Sequence, residues 1–158
     1  MQVVGSGQSS ITFSSIPATC TDLEITSCIS TALGNDDIYM QFNGDSGLHY
    51  DRGFSFGGQT VLNGSDNGID HLYVGNTGAN NICKATFIII PSYLNTNTQK
   101  SIRSLGMSSA TGGSAAILST INAAGSWEST AAINQIVIYL KSAGNTFNSS
   151  TIITLRGK

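Results

Sequence analysis

Apolar and polar residues alternate along most of this chain in short runs. In the runs at residues 10–13, 23–26 and 38–42, every second side chain is apolar. A period of two places those apolar side chains on one face of a β-strand. Further alternating or apolar runs lie at residues 48–56, 59–63, 69–75, 83–90, 101–108, 116–122, 133–140 and 150–156. We therefore expect a chain built from many short strands.

Turn residues separate these runs. Pro17 interrupts the first pattern, and Asn43-Gly44-Asp45 ends the run at 38–42 with residues that tolerate the positive φ of a tight turn. No window keeps a helical apolar stripe for three turns, although a short helical turn is an option at 115–121 or 128–133. The pattern predicts an all-β fold, an antiparallel β-sandwich of jelly-roll type.

The 158 residues suit a single domain. We place a short N-terminal arm at residues 1–10 and one sandwich domain at 11–158, with Gly112-Gly113-Ser114 as a loop inside it. The period of two assigns ten side chains to the core: Phe13, Leu23, Ile25, Met40, Phe42, Phe87, Ile89, Ile136, Ile138 and Leu155.

Charged residues are scarce and dispersed. They form 10% of the chain, against a usual figure of about 25%, and the formal net charge is −2. Such a chain has no basic surface for nucleic acid, and it has little charge repulsion to keep copies of itself apart. We expect no nucleic-acid partner, and we expect burial against neighbouring copies.

Targeting signals are not evident either. No apolar stretch approaches 18 residues, and the first residues, MQVVG, lack the basic start and apolar centre of a signal peptide. We expect no membrane partner and synthesis in the cytoplasm. Cys20, Cys28 and Cys83 are odd in number and share no metal-binding spacing, so buried, reduced thiols are expected.

Candidate catalytic and metal-binding residues are few. His49 and His71 lie beside Asp51 and Asp70, but no G-x-S-x-G or other positional motif accompanies them. The loop-like carboxylates Asp45, Asp51, Asp66 and Asp70 lack the order of a calcium-binding loop, and we interpret them as turn residues. No enzyme activity, cofactor or metal is expected.

The aromatic residues allow two interpretations. Tyr39, Tyr50, Tyr73, Tyr93 and Trp127 could form a sugar-binding surface, because aromatic rings stack on the apolar faces of sugars. Their positions in or beside alternating runs favour packing in a core or an interface instead. Lys84 and Lys141 flank strand-like runs, and we interpret them as residues that protect strand edges.

Four segments together resemble a β-sandwich family of virion structural proteins from tailed phages, particularly cyanophages and other aquatic phages. IPATCTDLEI at 16–25 and FNGDSGLHY at 42–50 are similar to its IPxTYTDL and FNGDxGxxY motifs. IIIPSY at 88–93 resembles its IxIPxY step, and FNSSTIITLRG at 147–157 its closing strand. The chain departs from the family at Cys20, where a tyrosine is usual, and at Arg156, which replaces an aromatic residue.

The resemblance implies structural roles for the motif residues, namely Pro17, Thr19, Asp22, Asn43, Gly44, Asp45, Pro91, Tyr93 and Gly157. It also implies a place on the virion surface. We expect a capsid decoration or cement protein, a homo-oligomer with a trimer favoured, that contacts the major capsid protein or another virion structural protein. The alternative is a tail-fibre, tailspike or baseplate domain that recognises a glycan on the host surface.

Overall fold

The computed structural model describes residues 2–3, 7–34, 36–57, 62–77, 83–110 and 117–158, with the backbone alone at 2–3, 62, 107–110 and 117–119. Twelve strands lie within these residues. They are β1 (Gln2–Val3), β2 (Ser10–Phe13), β3 (Leu23–Ile29), β4 (Asp37–Phe42), β5 (Tyr50–Gly57), β6 (Leu62–Ile69), β7 (Leu72–Asn76), β8 (Lys84–Ile90), β9 (Lys100–Ala110), β10 (Ile117–Trp127), β11 (Ile136–Leu140) and β12 (Ile152–Gly157).

The strands form two antiparallel sheets that pack face to face. The large sheet has the order β1-β12-β3-β8-β9-β10-β5-β6, and the small sheet has the order β2-β11-β4-β7. The strands β1-β12-β3-β8 of the large sheet and the four strands of the small sheet have the order of an eight-stranded jelly roll, and β9, β10, β5 and β6 extend the large sheet. The predicted antiparallel sandwich is therefore confirmed. Most strands from β2 to β12 lie close to the predicted runs, but β6 begins near the end of the run at 59–63 and continues to Ile69, and β10 continues beyond the run at 116–122 to Trp127.

The short helix suggested at 115–121 or 128–133 is wrong for the described residues. Ile117–Trp127 is an eleven-residue strand, and residues 128–135 have no regular structure. Cross-strand pairing with β9 and β5 on both sides outweighs the weak helical preference of a segment rich in Ser, Thr and Asn. The predicted run at 59–61 and the loop Gly112-Gly113-Ser114 lie outside the described residues.

Part of the segment at 1–10 contacts the sandwich. Gln2 and Val3 pair with Ile153 and Ile152 of β12. Farther along, the amides of Phe147 and Leu140 donate hydrogen bonds to the carbonyls of Gln8 and Ser9. The described residues of this segment therefore add to the edges of both sheets.

Most of the predicted core residues are buried between the sheets. Six of the ten are fully inside: Leu23, Ile25, Met40, Phe42, Ile136 and Ile138. Phe13 and Leu155 are partly buried and pack against the same cluster. The core prediction is confirmed for these eight side chains.

The predicted inward face of β8 is wrong. Ile88 and Ile90 are buried, whereas Phe87 and Ile89 lie on the outer face of the large sheet. Both alternating sets of β8 contain large apolar residues, so periodicity alone does not choose between them. Pairing with β3, in which Leu23 lies opposite Ile90, decides the face, because a shift of one residue would turn every side chain over.

The expectation of three reduced thiols is also wrong, because Cys28 and Cys83 form a disulfide, with their Cα atoms 5.1 Å apart. They are 55 residues apart in the sequence. Pairing of β3 with β8 brings them together, since Cys28 lies opposite Ala85, two residues from Cys83. Cys20 is the remaining thiol and is half-buried.

Candidate functional site

The family-like motif residues gather at one end of the sandwich. The Tyr93 hydroxyl donates a hydrogen bond to the carbonyl of Pro17, and Asp22 accepts one from the amide of Ser92 at 2.9 Å. Pro91 begins this turn at the end of β8. These bonds span 76 and 70 residues, so the corner connects distant parts of the chain rather than capping its own turn.

Gly157 and Thr19 lie on the other side of this corner. A Cβ atom on Gly157 would be 2.3 Å from Sγ of Cys20, so the close approach of the Cys20 side chain to β12 favours glycine. The Thr19 hydroxyl lies 3.8 Å from the same sulfur. Cys20 also borders a small apolar cavity of about 190 Å³, beside Tyr93 and Leu155.

The Asn43-Gly44-Asp45 turn joins this corner through the segment before β11. Asn43 and Gly44 have φ of 52° and 72°, values that Asn and Gly tolerate in a tight turn, and the amide of Asp45 donates to the carbonyl of Phe42 at 2.9 Å. The Asn43 side chain accepts bonds from the amides of Asn134 and Gln135. The predicted turn is confirmed.

The Asp45 carboxylate accepts several hydrogen bonds. It accepts hydrogen bonds from the indole Nε1 of Trp127 at 2.7 Å, from the amide of Gly47 at 2.9 Å and from His49 Nδ1 at 3.0 Å. Although burial acts to raise the pKa of Asp45, these hydrogen bonds outweigh it and lower that pKa. The carboxylate is therefore committed to holding the turn against β10.

The two histidines have separate partners. His49 is exposed and pairs with Asp45, while the side chain of Asp51 accepts a bond from the amide of Gly68 at 3.1 Å. His71 Nε2 accepts a hydrogen bond from Arg52 at 2.9 Å, so its Nδ1 carries the proton that is donated to Asp70. Within the described ranges, neither histidine is bonded to a serine or a thiol.

The four carboxylates interpreted as turn residues do not converge. The interpretation is wrong for Asp51 and Asp66, which lie in β5 and β6. Asp45 accepts a bond from Trp127, Asp51 accepts one from Gly68, Asp66 pairs with Arg52 at 2.7 Å, and Asp70 pairs with His71. No group of three His, Cys, Asp or Glu side chains with the geometry of a metal site occurs among the residues that the structure describes.

The five aromatic residues considered for sugar binding are all buried: Tyr39, Tyr50, Tyr73, Tyr93 and Trp127. The core interpretation is confirmed, and a sugar-stacking surface made from these rings is wrong. Tyr50 illustrates how a buried ring of this kind keeps its hydroxyl paired. Its hydroxyl accepts a bond from the amide of Phe42 and donates to the carbonyl of Asp45, both at 3.0 Å, and burial raises its pKa to about 12.

Sequence analysis missed a second cluster, on the outer side of the small sheet. Tyr139, Tyr39 and Tyr73 lie side by side on β11, β4 and β7, and Phe54 of β5 packs on Tyr73 with ring centroids 5.3 Å apart. The guanidinium of Arg52 lies 5.6 Å from the Tyr39 ring centroid. The sequence analysis assigned Tyr39 and Tyr73 to a core or an interface, but it did not separate this cluster from the core between the sheets.

Lys84 and Lys100 are buried, whereas Lys141 is exposed. Lys84 was predicted to protect a strand edge, but β8 is an interior strand of the large sheet and Lys84 is 3% exposed, so this prediction is wrong. Lys141 is exposed and pairs with Asp37 at 3.0 Å on β4, an interior strand of the small sheet. Lys100, which the sequence analysis did not single out, is 1% exposed.

The outer face of the large sheet carries two open depressions. A groove of about 600 Å³ crosses β3, β8, β9 and β10 and is lined by uncharged residues, among them Thr26, Ala85, Phe87, Leu105, Thr120 and Asn122. A more polar depression of about 630 Å³ lies over β5, β6, β9 and β10, with Asp51, Arg52, Ser65, Asp66 and Ser126 in its lining. Apolar side chains of the outer face therefore lie in the first groove, and charged ones border the second depression.

The described residues include no helix of the length and apolarity needed to cross a membrane. Comparison with known proteins gives no relative from which a role could be transferred. No family model matches the sequence, and searches of curated proteins and of solved structures return no match.

Proposed function

We propose that this chain is a structural protein of a tailed-phage particle that decorates the head and stabilises it as a homo-oligomer, with a trimer favoured. The observation that carries the proposal is the outer face of the large sheet. Leu105 is 43% exposed there, next to Phe87 and the outward-facing Ile89. A groove lined by uncharged residues, with apolar side chains exposed in it, fits burial against another protein.

The polar side chains support the same conclusion. Asp45, Asp22 and Asn43 are each occupied by hydrogen bonds that join distant segments. His71 is held between Arg52 and Asp70. Residues committed to such contacts stabilise a fold, which is what a particle component needs.

Protein counts in purified particles test the location. A cement protein that covers the head should be present at a copy number comparable with that of the major capsid protein, and quantitative mass spectrometry measures both. A count as low as that of tail proteins would contradict head decoration and support the receptor-binding alternative, in which the same face contacts a host glycan.

Substitution of Leu105 tests the proposed surface. Leu105→Asp places a charge in the groove and should reduce retention of the protein on particles, with little effect on its thermal unfolding, because the side chain is exposed. Leu33→Asp is the matched control, since Leu33 is 73% exposed on the connection between β3 and β4. Equal retention of both variants would show that the groove is not the contact surface.

Light scattering during size exclusion tests the oligomer. We expect a mass of three chains, or a trimer that assembles on the particle, where chemical crosslinking of intact virions would detect it. Dimers or tetramers in both measurements would contradict the trimer.

A further inference from the structure

Lys84 and Asn76 make a partly buried contact between the two sheets. Lys84 begins β8 of the large sheet, and Asn76 ends β7 of the small sheet. The Lys84 Nζ atom donates a hydrogen bond to Oδ1 of Asn76 at 3.0 Å. Lys84 is 3% exposed and Asn76 is half-buried, so the amine is shielded from water while the amide is partly open to it.

The other buried lysine shows how unusual this environment is. The Lys100 ammonium donates to three carbonyl oxygens, those of Asn95, Thr98 and Thr130, which match its three N–H donors. Among the described residues, Lys84 has the single acceptor on Asn76. A buried ammonium with one acceptor is poorly compensated, and burial lowers the pKa of Lys84 to about 8.

We propose that the side chains of Lys84 and Asn76 react with each other to form an intramolecular isopeptide bond. The neutral amine is a nucleophile, and the contact already holds it against the amide, which replaces a bimolecular encounter by a fixed geometry. The Nζ–Cγ bond forms and the Cγ–Nδ2 bond breaks. One proton moves from Nζ to Nδ2, and ammonia leaves, so the step needs no oxidant, reductant or cofactor.

The surroundings of Asn76 supply the rest of the chemistry. Asn76 lines a polar cavity of about 230 Å³ together with Asp36, Asp37, Lys141 and Ser142. Asp37 is the cross-strand partner of Asn76, and its carboxylate is bound by the exposed Lys141. This cavity gives ammonia a way out and places a carboxylate beside the amide, where it can relay the proton directly or through water.

The bond would tie the two sheets together next to the Cys28–Cys83 disulfide. It would join the end of β7 to the start of β8, one residue beyond Cys83. Two covalent links at the same end of the sandwich would limit how far the linked segments separate when the chain unfolds, and this restriction stabilises the folded state.

Intact-mass spectrometry of the reduced, purified protein tests the proposal. We expect a mass lower than that of the sequence by one molecule of ammonia, and a branched peptide that joins the Asn76 and Lys84 segments after digestion. Lys84→Arg keeps the positive charge but should restore the full mass. Lys141→Arg, at the same cavity, is the matched control and should retain the loss of ammonia.

Other ammonia losses are distinguishable. Cyclisation at an Asn-Gly step, such as Asn43-Gly44, gives the same change of mass but would persist in Lys84→Arg and leave no branched peptide. If Lys84→Arg does not fold, peptide mapping of the unsubstituted chain still decides the matter. The full sequence mass, or linear peptides alone from the two segments, would overturn the proposal.

Discussion

The indole Nε1 of Trp127 donates a hydrogen bond to Oδ2 of Asp45 at 2.7 Å, across 82 residues of sequence. Trp127 ends β10 and is 3% exposed, and Asp45 lies in the turn between β4 and β5. The rings of Trp127 and Tyr50 stack beside this contact, with centroids 6.4 Å apart. The Asp45 carboxylate thus links the turn between β4 and β5 to the end of β10 in the large sheet.

Replacement of Asp45 by Ala should destabilise the protein by about 2 kcal/mol, because it removes a charged acceptor and leaves the buried indole N–H unpaired. Chemical denaturation followed by Trp127 fluorescence measures the change. Asp51→Ala is the control, since Asp51 accepts one bond, from the exposed amide of Gly68, and should cost less. An equal cost for both variants would contradict the role assigned to Asp45.

Acid should weaken the same contact. The pKa of Asp45 is lower in the folded protein than its ordinary value of 3.8, so the unfolded chain binds the proton more readily. Its contribution to stability is complete above the unfolded pKa and is lost as the pH falls through the folded pKa. The free energy of unfolding of Asp45→Asn should therefore fall less steeply below pH 3.8 than that of the unsubstituted protein. Parallel curves would show that Asp45 does not titrate with folding.

The interior of the sandwich and the outer face of the large sheet should respond differently to loss of an aromatic ring, with Phe42 of β4 as the interior example and Phe87 of β8 as the outer one. Phe42 has no exposed surface, and Phe42→Ala should cost about 3–5 kcal/mol through lost burial and a cavity. Phe87→Ala, on the outer face, removes a half-buried ring and should cost clearly less. Thermal unfolding compares them. A larger loss for Phe87→Ala would restore the inward assignment that the structure contradicts.

The Cys28–Cys83 disulfide predicts how many thiols react before and after reduction. Without reductant, the denatured protein should expose one reactive thiol, that of Cys20, and after reduction it should expose three. Replacing Cys28 and Cys83 by Ser should lower stability by about 2–4 kcal/mol, since the loop they close is long. Cys20→Ser is the control and should leave no thiol before reduction. Three reactive thiols in unreduced, freshly purified protein would contradict the disulfide.

The candidate site was only partly predictable, because its contacts are distant in sequence. Asn43 and Gly44 announce a turn by their own tolerance of positive φ. The partner of Asp45 is Trp127, and that of Asp22 is Ser92, neither of which any local motif specifies. The sequence likewise did not predict that the amine of Lys84 is buried, because a lysine beside a strand-like run was interpreted as protection of a strand edge.

The sequence by itself determined the strands, the main turns and the antiparallel sandwich, because side-chain period and turn chemistry act over a few neighbouring residues. Only the tertiary structure decided which face of β8 is inside, that Cys28 meets Cys83, and that Lys84 meets Asn76. Each of these depends on register and on packing of one sheet against the other. Such long-range pairings arise from the sum of many weak contacts along whole strands, which no single residue or short motif encodes.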